Sequence, residues 1–189
     1  MIRAIIFDLY GVLAINGWQA FKTEHFSSRE DVWDQVHQLG RKVDAGISDY
    51  AELVRFTSDV TGESEATVRY QLEHTVANRD LLHFIKAELK GNYKLGLLSN
   101  TSRPDVIEDV FSVDQRKLFD AVVMSRQTGI LKPDKRAYEL MADEIGVLIE
   151  DCLLIDDQER HVDGARRAGM QALLFTSVVD LQQELATVL

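Results

Sequence analysis

At 189 residues, 46% hydrophobic and 28% charged with two prolines, the chain has the size and composition of one ordered globular core with room for a modest insertion. A formal net charge of −10, from 21 basic and 31 acidic residues, argues against nucleic acid and against an anionic membrane surface as partners. The single cysteine, Cys152, excludes an internal disulfide, the N-terminal apolar run is too short for a signal sequence, and no stretch is long enough to span a bilayer, so a soluble, cytoplasmic protein is expected.

The first element is Ala4-Ile5-Ile6-Phe7, too short for a helix and apolar at every position, as in a strand covered on both faces of a parallel sheet. It stops at Asp8, with Gly11 soon after. Over residues 18–77 apolar residues recur at helical spacing and no strand-like run interrupts them, which predicts an inserted helical bundle. Ser27-x-x-Glu30 has the form of a capping box ahead of a Val32, Trp33, Val36, Leu39 face. Ser48 is placed to cap a helix bearing Tyr50, Leu53, Val54, Phe56 and Val60, which Gly62 ends, and Ser64 to cap another with Val68, Leu72 and Val76.

Beyond Asn78, helix and strand alternate. Asn78 caps a helix carrying Leu81, Leu82, Ile85 and Leu89, and Gly91-Asn92 turn the chain into a strand over residues 93–98 that runs into Ser99-Asn100. Pro104 takes the first turn of the next helix. Ala121–Met124 is a third strand, and a loop over residues 129–134 leads to a helix opened by Asp134 and stopped by Gly146. Residues 152–155 form a fourth strand ending in Asp156-Asp157, with Cys152 a buried, inert thiol. A helix stopped by Gly169, a fifth strand over 172–175 and a terminal helix over 181–189 complete the chain. Such alternation predicts right-handed crossovers and a parallel sheet.

In a parallel sheet the strand ends gather on one edge, where open α/β sheets bind ligands. That edge then carries Asp8, Ser99, Asn100, Lys132, Asp156 and Asp157. Three carboxylates around one lysine repel one another unless a cation joins them, and hard oxygen donors suit Mg²⁺. Lys132 and Ser99 would then face the anionic group of a substrate, aided by backbone N–H groups after Asp8 and Ser99.

The stretches Phe7-Asp-Leu-Tyr-Gly-Val-Leu13, Leu95-Gly-Leu-Leu-Ser-Asn-Thr101, Gly129-Ile-Leu-Lys-Pro-Asp134 and Leu154-Ile-Asp-Asp157 with Gly164-Ala-Arg-Arg-Ala-Gly-Met170 resemble, in order, the four motifs of the haloacid dehalogenase superfamily of hydrolases, in its branch with a helical cap after the first motif. The resemblance implies a Rossmann-like, doubly wound α/β core over residues 1–15 and 78–189, and an α-helical cap over 16–77. It implies Asp8 as a nucleophile forming a covalent aspartyl intermediate, Ser99 holding a substrate oxygen, and Lys132 neutralising the nucleophile and the transferring group. It further implies Mg²⁺ on Asp8, Asp157 and the Tyr10 carbonyl, with Asp156 a ligand through water or a partner of the ligands, and Asn100 supporting the loop. The expected activity is Mg²⁺-dependent hydrolysis of a small phosphorylated metabolite.

Two departures from the family pattern matter. Relatives that are phosphatases carry a second Asp at the position of Tyr10 to protonate the leaving alcohol. Tyrosine resembles the metal-independent 2-haloacid dehalogenases instead, whose halide needs no proton, whereas Asp156-Asp157 resembles the metal-dependent phosphatases. A phosphate-binding or interaction protein of little turnover is a third possibility. The other departure is His161, where relatives carry Asn; it either bonds the loop before its helix or substitutes as proton donor. In the cap, Trp18, Phe21, Phe26 and Trp33 read as core, Lys22, His25 and Arg41 are basic groups able to reach a substrate, and Arg166-Arg167 serve a helix C-terminus.

Overall fold

The computed structural model describes residues 1–103 and 105–189. β1 (Ala4–Phe7) leads to β2 (Ala14–Asn16) and then to α1 (Trp18–Phe26), α2 (Glu30–Asp44), α3 (Tyr50–Thr61) and α4 (Glu65–Glu73). β3 (Thr75–Ala77) returns the chain to α5 (Arg79–Phe84), a π-helical turn (Ile85–Leu89) and β4 (Lys94–Ser99). There follow α6 (Val106–Val110), α7 (Val113–Arg116), β5 (Ala121–Met124), α8 (Ser125–Thr128) and α9 (Lys135–Ile145). β6 (Cys152–Asp156), α10 (Glu159–Ala168), β7 (Gln171–Leu174) and α11 (Val178–Val188) complete the order.

Five strands form one parallel sheet in the order β5-β4-β1-β6-β7. The chain winds outward from β1 through β4 to β5, then crosses to β6 and out to β7, so the winding reverses between β1 and β6. That reversal opens a crevice at the strand ends. Phe7 pairs with Ile155, and the Asp8 N–H donates to the Ile155 carbonyl at 2.9 Å, which brings Asp8 and Asp156 to the same level. β1 is buried along its whole length. Ile5 and Phe7 pack under α5, α6 and α11 through Leu81, Ile85, Val106 and Leu185, while Ala4 and Ile6 pack under α9 and α10 through Tyr138, Met141 and Val162. A strand covered on both faces needs no polar alternation.

Helices α1–α4 enclose a separate apolar cluster of Phe21, Phe26, Val36, Val43, Leu53, Val54 and Val68. Trp18 stacks on Phe21 with ring centroids 5.5 Å apart and lies 5.7 Å from Trp33.

The expectation that no strand interrupts residues 18–77 is corrected by β3. It pairs antiparallel with β2, Ala14 opposite Ala77 and Ile15 opposite Val76, so the helical segment is entered and left through a two-stranded ribbon. Val76 therefore belongs to that ribbon and not to the helix of Val68 and Leu72. The Ser27 capping box is also absent. Ser27 closes α1, its hydroxyl bonding back to the Thr23 carbonyl, and α2 starts behind Arg29 without a side-chain cap. Asp49, not Ser48, caps α3: its carboxylate accepts from Ala51 N at 2.8 Å, while Ser48 N is taken by the Lys42 carbonyl at the end of α2. Ser64, Asn78 and Asp134 cap as expected. The expectation for Pro104 lies outside the described residues.

Candidate active site

Asp8 directly follows β1, Ser99 ends β4, Asp156 ends β6, and Lys132 reaches in from the loop before α9. All four are buried. The loop is fixed by Asn100, whose Oδ1 accepts from Lys132 N at 2.8 Å and whose Nδ2 donates to the Lys132 carbonyl at 2.9 Å. So held, Lys132 Nζ lies 2.9 Å from Asp8 Oδ1 and 2.6 Å from Asp156 Oδ2. Asp156 also accepts from Gln158 N at 3.0 Å and from His161 Nδ1 at 3.1 Å. Asp8 Oδ1 accepts in addition from Leu9 N at 2.7 Å.

One ammonium therefore faces a cluster of carboxylates, and the balance is uneven. Burial would raise Asp156, but Lys132 and His161 overcome it and hold this carboxyl below the usual range. Asp8 gains less: burial, then Asp156, push it up to about 8 against the opposing pull of Lys132. Asp157 is pushed up to about 6 by burial and by Asp156. Burial disfavours the Lys132 ammonium, yet the two aspartates raise its pKa above the ordinary value. The edge is built to carry more negative charge than its own cation neutralises.

Asp157 is the residue left over. Its Oδ1 is buried without a hydrogen-bond partner among the described residues. The carboxylate lies against Gly11, where a Cβ would sit 2.2 Å from Asp157 Oδ2, and Gly11 has φ +84°. Both facts require glycine there. The Asp8–Gly11 loop is thereby pressed onto the end of β6. Tyr10 turns its ring aside, with its hydroxyl 3.2 Å from Thr101 Oγ1, and burial raises its pKa above 10.0. Ser99 Oγ makes only a long contact, 3.4 Å, to the Asn100 carbonyl.

Asp8, Lys132 and Asp156 are thus in direct contact, Asn100 positions Lys132, Asp157 stands against the Asp8–Gly11 loop, and Ser99 borders the same edge. His161 bonds the acidic residue before its helix. Its pKa is lowered, by burial first and with Lys132 contributing, so the ring is neutral and donates from Nδ1 to Asp156. Asp8, Asp156 and His161 offer ligand atoms within 4.8 Å of one another. With Nδ1 donating and Asp156 holding Lys132, however, the open oxygens for a hard cation are those of Asp8 and Asp157.

Sequence reasoning placed Thr101 and Ser125 near strand ends without giving them a role, and passed over Asp44. Ser125 Oγ accepts from Thr101 N at 3.0 Å and donates to the Asp44 carbonyl at 2.9 Å, tying the end of α2 to the ends of β4 and β5. Asp44 is pushed up to about 6 by burial. Nothing in local sequence ties residue 44 to residue 125.

A family model described as haloacid dehalogenase-like hydrolase matches residues 2–169. Over 195 aligned residues the chain is 24% identical to drimenol cyclase drtB of Aspergillus calidoustus, covering 100% of this chain and 37% of that protein. Over 153 residues it is 31% identical to phosphatase MT3486 of Mycobacterium tuberculosis (strain CDC 1551 / Oshkosh), covering 79% of this chain and 63% of that one. The chain thus spans less than two thirds of either relative. A HAD family enzyme of Bacteroides thetaiotaomicron, solved in complex with magnesium and inorganic phosphate, shares the fold with a TM-score of 0.69 at 19% identity, over 94% of this chain and 96% of that one.

Proposed function

The chain belongs to the haloacid dehalogenase-like hydrolases, and within them we propose that it is a Mg²⁺-dependent phosphatase of small phosphorylated metabolites, working through an aspartyl-phosphate on Asp8. The observation that carries this reading is the charge balance at the strand ends: burial and then Asp156 push Asp8 up to about 8 and Asp157 up to about 6, and Lys132, held 2.9 Å from Asp8 and 2.6 Å from Asp156, does not offset them. A divalent cation would restore both to their ionised form. The donor set fits Mg²⁺, with the oxygens of Asp8 and Asp157 and the Tyr10 carbonyl as ligands. The buried, unpartnered Asp157 Oδ1 beside Gly11 supports that fit. When bound, Mg²⁺ would screen the phosphoryl charge from the aspartates. The phosphatase named among the relatives supports the same substrate class.

In this reading the protein groups divide the work. Asp8 Oδ1 is held by Leu9 N–H and Lys132, which orients the carboxylate so that its ionised form can attack phosphorus. The P–O ester bond breaks, the leaving group departs as its oxyanion, and an acyl-phosphate remains on Asp8. Water then hydrolyses it, releasing inorganic phosphate and restoring the carboxylate. Ser99 and the Lys132 ammonium hold phosphoryl oxygens, Asn100 keeps Lys132 in place, and Asp156 fixes the charge and position of Lys132. Helices α1–α4 serve as a cap over residues 16–77 on a core of 1–15 and 78–189. Asp8→Asn is expected to lose at least 10³-fold in hydrolysis while keeping its fold, an order of magnitude typical of removing a covalent nucleophile. Beryllofluoride should give an adduct on Asp8 of the native protein. Unimpaired hydrolysis by Asp8→Asn would refute the mechanism.

Tyr10 favours a second reading, a metal-independent 2-haloacid dehalogenase, since no side-chain acid stands at that position. Chloride release from 2-chloropropionate without Mg²⁺ tests it. The unpartnered carboxylate of Asp157 weighs against it.

A further inference from the structure

The seam between α2 and α10 joins the helical segment to the α/β core, and what it can bind rests on the phosphatase reading of the site beside it. Along α2, His37, Arg41 and Asp44 follow at helical spacing and share one face. The two ends of that face are pinned to the α/β core. Arg160 Nη2, at the start of α10, donates to His37 Nε2 at 3.3 Å, and the Asp44 carbonyl accepts from Ser125 Oγ at the end of β5. Arg41 stands between these contacts on the same face of α2, close enough for its charge to be felt by His37, Asp44 and Arg160. Lys22 of α1 lies 4.6 Å from the Trp33 ring, and Trp33 stacks on His37 at 5.9 Å.

The charges here do not balance. Among the described residues, neither Lys22, Arg41 nor Arg160 has a carboxylate within ion-pair distance, whereas Lys132 and several surface bases do. All three face His37. The His37 pKa is lowered by burial and then by Arg160, Arg41 and Lys22 in turn, and the Arg160 pKa by burial and then by Arg41. His37 is therefore a neutral spacer that accepts from Arg160, and the two guanidinium groups remain as the cations. In a chain of net charge −10, a local surplus of like charge beside a phosphoryl site costs energy unless an anion shares it. Of the basic cap residues, His25 is excluded: its ring lies against Phe21 at 4.4 Å and near Glu63 at 3.8 Å.

We propose that Arg41 and Arg160, backed by His37 and Lys22, form a second anion subsite, so that the substrate is a phosphate monoester carrying a further anionic group, a carboxylate or a second phosphate, on its leaving portion. Guanidinium groups suit both, through paired N–H donors. Arg160 follows Asp157 closely in sequence, and each feels the other's charge, which sets the subsite beside the phosphoryl site.

The test compares kcat/KM for 4-carboxyphenyl phosphate, 1,4-phenylene bisphosphate and phenyl phosphate, in native protein, Arg41→Gln, Arg160→Gln and the control Arg55→Gln. The dianionic-to-phenyl ratio should fall about tenfold in each seam variant, mostly through KM, as expected for a partly exposed charged contact, and stay constant in Arg55→Gln. The bisphosphate and carboxylate arms separate the two sources of the second anion, and loss with either supports the subsite. Equal ratios in all four proteins would overturn it, as would an equal fall in Arg55→Gln, which would mark a general field effect. If no ester is turned over, the phosphatase reading fails by itself. Calorimetric titration with the same compounds then judges the subsite: tighter binding of the dianionic esters, lost in Arg41→Gln, supports it, and equal affinities overturn it.

Discussion

At the scale of single residues, the proposed phosphatase mechanism makes Tyr10 the group that sets which leaving groups depart readily. A positioned general acid contributes about 10²–10⁴-fold in rate, most for poor alkoxide leaving groups. Tyr10 is a weaker acid than free tyrosine because it is buried, and its hydroxyl is turned to Thr101. Aryl and acyl phosphates should therefore be hydrolysed at least 10²-fold faster than alkyl phosphates, and Tyr10→Asp should narrow the gap by accelerating the alkyl esters. Equal native rates on both classes would mean that another residue donates the proton. Gly11 decides whether the loop closes. An alanine there would meet Asp157 Oδ2 and must hold φ +84°, a strain of about 1–2 kcal/mol before any clash. Gly11→Ala should lose most of the Mg²⁺-induced rise in melting temperature, and a full native rise in that variant would show that the metal lies elsewhere. Asp8, Asn100 and Asp156 were legible because each sits at or just after a strand end, and Lys132 because its loop carries the third of the ordered motifs. The neutral state of His161 was not, because it depends on its burial and on Lys132.

At the scale of elements, the long strands and most helix starts follow from local pattern. Ser64, Asn78 and Asp134 cap because each can reach an orphan N–H of its own first turn. Asn78 has a second task. Its Nδ2 donates to the Val12 carbonyl at 3.0 Å and its N–H to the Leu13 carbonyl at 2.8 Å, joining the exit of the helical segment to its entry. Asn78→Ala removes the cap and the Val12 bond together, and should cost roughly 1–3 kcal/mol, read as a lower urea midpoint. An unchanged midpoint would contradict this. β2 and β3 escaped sequence reasoning because strands of three residues have no room for a period, and their pairing partner lies far along the chain. Ser27 failed as a cap for a related reason: the hydroxyl had a nearer acceptor in its own helix.

At the scale of the molecule, the acidic edge couples stability to pH and to metal. Asp8 and Asp157 rise from 3.8 to about 8 and about 6. The folded state thus holds extra protons between those values, and the stability they contribute is complete below about pH 4 and lost as pH rises through about 6 and then about 8. Asp156, held below its ordinary value, acts in the opposite sense and is lost as pH falls below that value. The metal-free protein should therefore melt at lower temperature at pH 8 than at pH 5, and Asp8→Asn should flatten the upper part of that slope. Mg²⁺ bound as proposed would displace the same protons, so the rise in melting temperature with millimolar Mg²⁺ should be larger at pH 8 than at pH 6. A rise independent of pH would exclude Asp8 as a ligand.

Composition and motif order by themselves determined the α/β alternation, the strand ends that carry Asp8, Ser99, Asp156 and Asp157, and the membership in the hydrolase family. These follow from local periodicity and from residues adjacent in sequence. Only the tertiary structure decided that Lys132 is shared between Asp8 and Asp156, that Asp157 Oδ1 is buried without a partner among the described residues, and that His37, rather than His25, meets Arg160 at the seam. Each of those outcomes depends on which distant groups compete for one charge at close range, and that competition is settled by the register of β1 against β6 and by the docking of α2, not by any stretch of sequence.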